Sequence, residues 1–245
     1  MSTSFLEQAD AWQKAPFDNE TQKDVAALKN NPEAFEDAFY KDLAFGTGGM
    51  RGVIGVGTNR VNKYTFGRTT QGLSNYLKEQ FPTATPRVVI GYDCRHNSKE
   101  LAQIVANIFS ANGIDVFLFS DLRATPEVSF AVRHLACHCG VVLTASHNPP
   151  EYNGYKVYWQ DGGQIVPPQD AGIIAAINNT QYQDINFDAQ PKRINTIDTA
   201  VDEAFQKASV EVGRIGNGNR NELKIVFTSL HGTSITAIPQ VLKAA

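Results

Sequence analysis

The chain has 245 residues, of which 42% are hydrophobic and 19% charged, and its formal net charge at pH 7 is −3. These values are typical of a globular protein with one or two domains. The balance of charge argues against nucleic acid as a partner, and no apolar run reaches the length of a transmembrane helix. We therefore expect neither nucleic acid nor a membrane among its partners.

The N-terminal residues 1–10 are polar and acidic and lack the apolar core of a signal peptide, so the cytoplasm is the expected location. Helical signals follow. Asn31 and Pro32 are typical of an N-cap and a first helical position. After a Gly-rich loop over residues 46–52, the apolar spacing over Thr65–Phe81 predicts another helix.

From residue 87 onward, segments typical of strands alternate with segments typical of helices. This alternation predicts an α/β fold with a mixed, mostly parallel sheet, covered by helices on both faces and carrying an antiparallel hairpin at one side. The predicted elements are strands over Arg87–Tyr92, Asp115–Phe119, Gly140–Leu143 and Tyr155–Trp159, a hairpin partner over Gln164–Val166, and helices from Ser98, from Thr125 and over Pro168–Asn178.

The polar residues 180–196 are interpreted as a linker that ends a first domain, residues 1–197. Residues 198–245 begin a second unit. Its predicted elements are a helix through Phe205, a turn at Gly216–Asn219, a strand over Leu223–Phe227 and a helix from about Ser234. A single strand and its helix cannot bury a core of their own, so we expect the incomplete start of a second α/β domain.

The segment 144–150, Thr-Ala-Ser-His-Asn-Pro-Pro, follows a short apolar strand. Its prolines stop regular structure and stiffen the loop. The strand therefore places Ser146 and His147 at the end of a sheet strand, where open α/β sheets bind their ligands. A serine hydroxyl beside a potential base suits covalent phosphoryl transfer.

This segment resembles the phosphoserine loop of the α-D-phosphohexomutases, the phosphoglucomutase and phosphomannomutase superfamily. Other segments resemble landmarks of the same family in the same order. They are Phe45–Gly52, similar to a Gly-Thr-x-Gly-x-Arg-Gly loop, then Gly91–Arg95, Ala124–Pro126, Asn153–Lys156, and Ser229–Gly232. The resemblance covers the chain from about residue 45 to its end.

The resemblance implies site residues. Ser146 is expected to carry the phosphoryl group and, through its phosphate, to be one ligand of Mg²⁺. Arg51, His147 and Lys156 are expected to surround the transferring group, so that all four residues are catalytic and bind substrate. Arg95, beside Asp93, is expected to shape the phosphoserine loop rather than to act in catalysis.

The implied activity is an intramolecular phosphotransfer that interconverts a sugar 1-phosphate and a sugar 6-phosphate through a bisphosphate. Phosphoglucomutase is favoured, with glucose 1,6-bisphosphate or a similar bisphosphate as activator. Phosphomannomutase, phosphopentomutase and a non-catalytic module that binds sugar phosphates remain as alternatives. The family's metal, sugar and phosphate loops are not found in this sequence, so we expect an N-terminal piece that is active only within a full-length protein.

Overall fold

A computed structural model of the chain describes residues 4–213, 222 and 224–245. Its helices are α1 (Phe5–Ala11), α2 (Asn19–Leu28), α3 (Pro32–Phe39), α4 (Lys63–Gln80), α5 (Ser98–Ala111), α6 (Thr125–His134), α7 (Gln169–Asn178), α8 (Thr199–Val212) and α9 (Ile238–Ala244). Its strands are β1 (Gly49–Val53), β2 (Arg87–Tyr92), β3 (Asp115–Phe119), β4 (Cys139–Leu143), β5 (Tyr152–Trp159) and β6 (Ile194–Ile197). No helix of these residues is both long enough and apolar enough to span a bilayer.

The strands form one sheet in the order β1-β5-β4-β2-β3-β6. Strands β4, β2, β3 and β6 run parallel, and β5 pairs antiparallel with both β4 and β1. The mixed, mostly parallel sheet predicted from the sequence is thereby confirmed. The predicted hairpin partner does not form a strand. Among the described residues, Gln164 makes a single antiparallel bridge to Tyr158, and the chain then enters α7.

Helices cover both faces of the sheet, as predicted. Strand β2 shows the alternation most clearly, since Val88 and Ile90 pack into a core with α4, α5 and α7, whereas Val89 packs into a core with α6. The first core is the larger, and its aromatic members include Phe66 on α4 and Tyr155 on β5. The period-two alternation of a strand explains why one strand serves two cores.

The interpretation of residues 180–196 as a linker is wrong at its end. Ile194–Ile197 forms β6, which pairs parallel with β3 at the edge of the sheet. Polar Asn195 and Thr196 face solvent there and mask the strand signal, because an edge strand buries little of its surface. The boundary placed at residue 197 stays a prediction.

The predicted strand Leu223–Phe227 does not form within the described residues. Residues 224–229 lie in no strand, and Ile225 and Val226 are exposed. A strand needs a partner for its backbone groups, and these residues pair with none of the described strands. Leu223 and the predicted turn at Gly216–Asn219 lie outside the described residues.

Helix α8 is joined to α6 by a buried charged cluster. The Arg123 guanidinium donates two hydrogen bonds of 2.8 Å to the Asp202 carboxylate, and Glu127 lies beside both with 1% of its surface exposed. Burial, and then the hydrogen bond with Asp202, raises the pKa of the Glu127 carboxyl to about 8, although Arg123 opposes the rise. The raised pKa favours the protonated form of Glu127 near neutral pH, which leaves the Asp202 carboxylate to carry the charge opposite Arg123.

We expect Glu127→Gln to relieve a pH-dependent loss of stability. A carboxyl whose pKa is raised on folding stabilises the folded state fully below the unfolded pKa, and this contribution is lost as the pH rises through about 8. The glutamine variant should therefore gain stability over wild type between pH 5 and pH 9, by a few kcal/mol at about 1.4 kcal/mol per pKa unit. Urea unfolding at both pH values measures this difference.

The control is Glu211→Gln on the exposed surface of α8, where the carboxylate lies 3.9 Å from the Lys207 ammonium. It should show no pH-dependent gain. A Glu127→Gln variant that parallels wild type over the whole pH range would contradict the raised pKa.

Candidate active site

Two loops meet at the carboxyl end of the sheet, because β2 and β4 are adjacent and parallel. The chain leaves β2 into residues 93–97 and leaves β4 into residues 144–151. The N–H of Asp93 donates to the carbonyl of Leu143, which joins the loops at their bases. The family motifs that the sequence analysis places far apart are thus neighbours in space.

Ser146 is held in an unusual backbone conformation. Its φ of 58° lies in the left-handed region, which costs a residue with a side chain on the order of 1 kcal/mol. Its N–H donates to Thr144 Oγ1 at 2.9 Å, and the N–H of Asn148 closes the turn onto the carbonyl of Ala145 at 3.1 Å. Ala145 is buried beneath it, whereas Ser146 and His147 are exposed. The Ser146 hydroxyl lies 3.4 Å from His147 Nδ1.

Arg95 fixes the carbonyls of this loop. Its Nη1 donates to the carbonyls of Pro149 and Tyr152 at 2.8 and 2.9 Å, and its Nη2 donates to those of Ser146, at 2.8 Å, and Asn148. The side chain is only 11% exposed, because these contacts hold it against the loop. One guanidinium therefore determines the path of the loop from Ser146 to the start of β5, as expected of Arg95.

Arg95 is itself anchored. Its backbone N–H donates to Asp93 Oδ1 at 3.0 Å, and its Nε lies 3.5 Å from Asp93 Oδ2. Ser98 donates to the same carboxylate at 2.9 Å and accepts from the buried amide of Asn153 at 2.9 Å. Asn153 also donates to the carbonyl of His96. This network links the loop after β2 to the first turn of α5 and to β5.

Arg51 and Lys156 reach the site from the neighbouring strands. In the sheet, Arg51 pairs with Gly154, and Lys156 lies between Val142 of β4 and Gly49 of β1. A side chain at position 154 would meet the carbonyl of Thr144 at 2.6 Å, so only glycine allows the strands to approach. The alternation along β5 puts residues 154 and 156 on one face of the sheet. Arg51 Nη1 also donates to Asn148 Oδ1 at 3.1 Å.

The four predicted site residues, Ser146, His147, Arg51 and Lys156, line one cavity of about 450 Å³. The structure thus brings together all the residues that the sequence analysis proposed, although their roles remain predictions. A hydroxyl that shares a cavity with an arginine and a lysine is suited to hold a phosphoryl group, since a phosphoserine carries nearly two negative charges.

The Gly-rich loop forms the opposite wall of this cavity. Gly46 and Gly49 exchange backbone hydrogen bonds of 2.8 and 3.1 Å, which makes a tight turn. Within the described part of the chain, the N–H groups of Thr47 and Gly48 at the tip of this turn have no protein acceptor. Free backbone N–H groups beside an arginine are a common arrangement for binding anions.

On the other side of Ser146 lies a larger cavity of about 790 Å³. Ser146 and His147 line it together with Arg95, Arg123 and His231. The carbonyl of His231 accepts a contact of 3.5 Å from the Cys94 thiol. The loop that carries Ser146 therefore separates two cavities and faces both.

Three residues at the site were not proposed from the sequence, namely Thr144, Asn148 and Gln164. Thr144 and Asn148 belong to the loop motif itself, and their hydrogen bonds to Ser146 and Arg51 depend on the folded loop. Gln164 lines the smaller cavity from a segment interpreted as a hairpin strand. An isolated glutamine carries no sequence signal for such a place.

The described residues do not provide a complete magnesium site. They contain no group of three or more His, Cys, Asp or Glu side chains able to hold a metal ion. A phosphate on Ser146 would supply oxygen ligands of the kind that Mg²⁺ prefers.

The family with the description "Phosphoglucomutase/phosphomannomutase, alpha/beta/alpha domain I" matches residues 42–184, which is more than half of the chain. The chain belongs to this family. The match includes the Gly-rich loop, the loop of Ser146 and the strand of Lys156, and it confirms the resemblance on which the site residues were chosen.

Individual proteins with similar sequences or structures carry names from the same family. A phosphoglucomutase of Staphylococcus haemolyticus is 42% identical over 213 residues, and one of Staphylococcus aureus is 40% identical over 214 residues. Each alignment covers 85% of this chain but only 38% of the relative. Among solved structures, a putative phosphomannomutase from Thermus thermophilus is similar with a TM-score of 0.60 and 30% identity, over 70% of this chain and 36% of that one. The chain thus spans less than two fifths of the curated relatives it matches.

Proposed function

We propose that this chain is the phosphoserine-bearing part of a phosphoglucomutase, in which Ser146 carries the phosphoryl group between the two ends of a hexose phosphate. The observation that supports this most is the shared cavity, in which the Ser146 hydroxyl lies with Arg51 and Lys156. The name of the curated relatives at about 40% identity, phosphoglucomutase, favours glucose phosphates over other sugars.

In the proposed reaction the bond between phosphorus and Ser146 Oγ breaks, and a bond forms between phosphorus and a sugar hydroxyl oxygen. The sugar hydroxyl proton passes to a neighbouring base, for which His147 is the candidate in the cavity, and Ser146 Oγ takes up a proton as it leaves phosphorus, for which the Lys156 ammonium is the candidate donor. The phosphoryl group at the other end of the resulting bisphosphate then returns to Ser146. Arg51 stabilises the phosphoryl oxygens, because phosphoryl transfer depends chiefly on positioning and electrostatic stabilisation.

The proposed reaction also involves a metal ion, an activator and further domains. Mg²⁺ would be held partly by the phosphate of Ser146, and glucose 1,6-bisphosphate would restore the phosphorylated state. Residues 1–197 would form the first domain, and residues 198–245 the start of a second. The remaining metal, sugar and phosphate contacts would come from further domains, so the 245-residue chain alone would be inactive. The expected setting is the cytoplasm.

The alternatives differ in the sugar or in catalysis itself. The Thermus thermophilus structure is described as that of a putative phosphomannomutase, and its sequence is 30% identical to this chain. This supports a phosphomannomutase as the alternative. A module that only binds sugar phosphates would keep the cavity but would have no use for a covalent phosphate on Ser146. Phosphorylation of this residue therefore separates an enzyme from a binding module.

We expect glucose 1,6-bisphosphate to phosphorylate the full-length protein on Ser146, because that hydroxyl lies exposed between the two cavities. Peptide mapping by mass spectrometry should locate one phosphate in the peptide that contains residues 144–150. Ser146→Ala should abolish it, whereas Ser129→Ala, a control on α6, should not. Phosphate on another serine with Ser146 unmodified would overturn the assignment.

We also expect Arg51→Ala and Lys156→Ala to lower mutase turnover of the full-length protein about a hundredfold each, as is typical when one preorganised electrostatic contact is lost. Both side chains are at least partly exposed, so their removal should change the melting temperature little. Coupled glucose 1-phosphate assays and thermal melts measure the two effects. Lys207→Ala, on the exposed face of α8, is the control. Turnover near that of wild type would show that the residue contributes nothing to the reaction.

A further inference from the structure

The shape of the Gly-rich loop depends on a residue that lies far from it in sequence. Gly48 has φ of +87°, and a Cβ there would come within 2.2 Å of Gln164 Nε2. The side-chain amide of Gln164 is thus in direct contact with the backbone of the loop. This contact requires glycine at position 48 on two counts, the positive φ and the lack of space.

The carbonyl of Gly48 accepts two hydrogen bonds. The N–H of Val157 donates to it at 3.0 Å, and Gln164 Nε2 donates to it at 3.1 Å. The amide nitrogen rather than the amide oxygen must face this carbonyl, because two acceptor oxygens would repel each other. The first bond joins the loop to β5 next to Lys156, and the second joins it to the segment before α7.

A second contact from the same segment reaches the neighbouring residue. The Thr47 hydroxyl donates to Asp170 Oδ2 at 3.4 Å, and Asp170 is buried in the first turn of α7. Residues 164–170 therefore hold both tip residues of the loop from outside. Of the two anchors, only Gln164 also lines the cavity that contains Ser146 and Arg51.

We propose that Gln164 is a positioning residue, which holds the Gly-rich loop so that its free N–H groups and the Arg51 guanidinium bind the same phosphate. This inference rests on the function proposed above and adds a residue outside the family motifs. An uncharged amide suits the task, because it fixes the Gly48 carbonyl without adding a charge to a cavity built for an anion. Gln164 then acts on the substrate through the loop.

Gln164→Met tests this role, because methionine has a similar length but no donor. In the full-length protein we expect kcat/KM for glucose 1-phosphate to fall about fivefold, the effect of one neutral hydrogen bond. The melting temperature should change no more than in Gln183→Ala, a control with an exposed glutamine that lines neither cavity. A fall in kcat/KM that only follows a fall in melting temperature would make Gln164 structural.

The Arg51→Ala background supplies a sharper readout. If the loop and Arg51 hold the same phosphate, adding Gln164→Met to Arg51→Ala should cost less than about twofold, because residues that act together are not additive. The same fivefold loss in both backgrounds, or no loss in either, would overturn the inference.

Backbone hydrogen exchange separates this inference from the proposed function. In the 245-residue chain, Gln164→Met should accelerate exchange severalfold at Gly46 and Gly49, whose N–H groups are hydrogen-bonded in the turn, and leave the rest of the sheet unchanged. That result is expected whether or not the full-length protein has mutase activity. Unchanged exchange would refute the role of Gln164, whereas absent turnover in wild type would refute the proposed function alone.

Discussion

The site depends on one cation, the guanidinium of Arg95. It donates to four carbonyls between Ser146 and Tyr152. Charge-assisted hydrogen bonds are the stronger kind, and several from one planar group fix direction as well as distance. This provides a physical reason why Ser146 can remain at a positive φ, since the loop around it is overdetermined.

The two basic side chains in the cavity, Arg51 and Lys156, lie on strands rather than on the loop of Ser146, and a different set of contacts holds them in place. Arg51 and Lys156 are set by the register of β1, β5 and β4, which is fixed by backbone hydrogen bonds rather than by charge. Gly154 lets these strands approach, and the contact between Gln164 and Gly48 sets the wall that faces them. The loop of Ser146 and the strands that carry Arg51 and Lys156 are therefore held by different contacts. The hydrogen bond from Arg51 to Asn148 connects the two parts of the site.

Much of this arrangement could be predicted from the sequence, and the exceptions have physical causes. The alternation of strands and helices and the family motifs led to the fold and to the four residues that line the cavity. The edge strand β6 was missed because Asn195 and Thr196 face solvent, and the predicted strand at residue 223 was wrong over its described residues because they have no partner strand. Gln164 was missed because its contact is with a backbone carbonyl, which leaves no pattern in sequence.

The most direct test of this account is the transfer of phosphate to Ser146 in an Arg95→Lys variant of the full-length protein. Lysine keeps the positive charge but cannot donate in a planar fork to four carbonyls. We expect the rate of Ser146 phosphorylation by glucose 1,6-bisphosphate to fall at least about tenfold, measured by mass spectrometry below the melting temperature of both proteins, because a small misplacement of a reacting group has a large kinetic cost. An unchanged rate would contradict the central claim that Arg95 places the reacting serine.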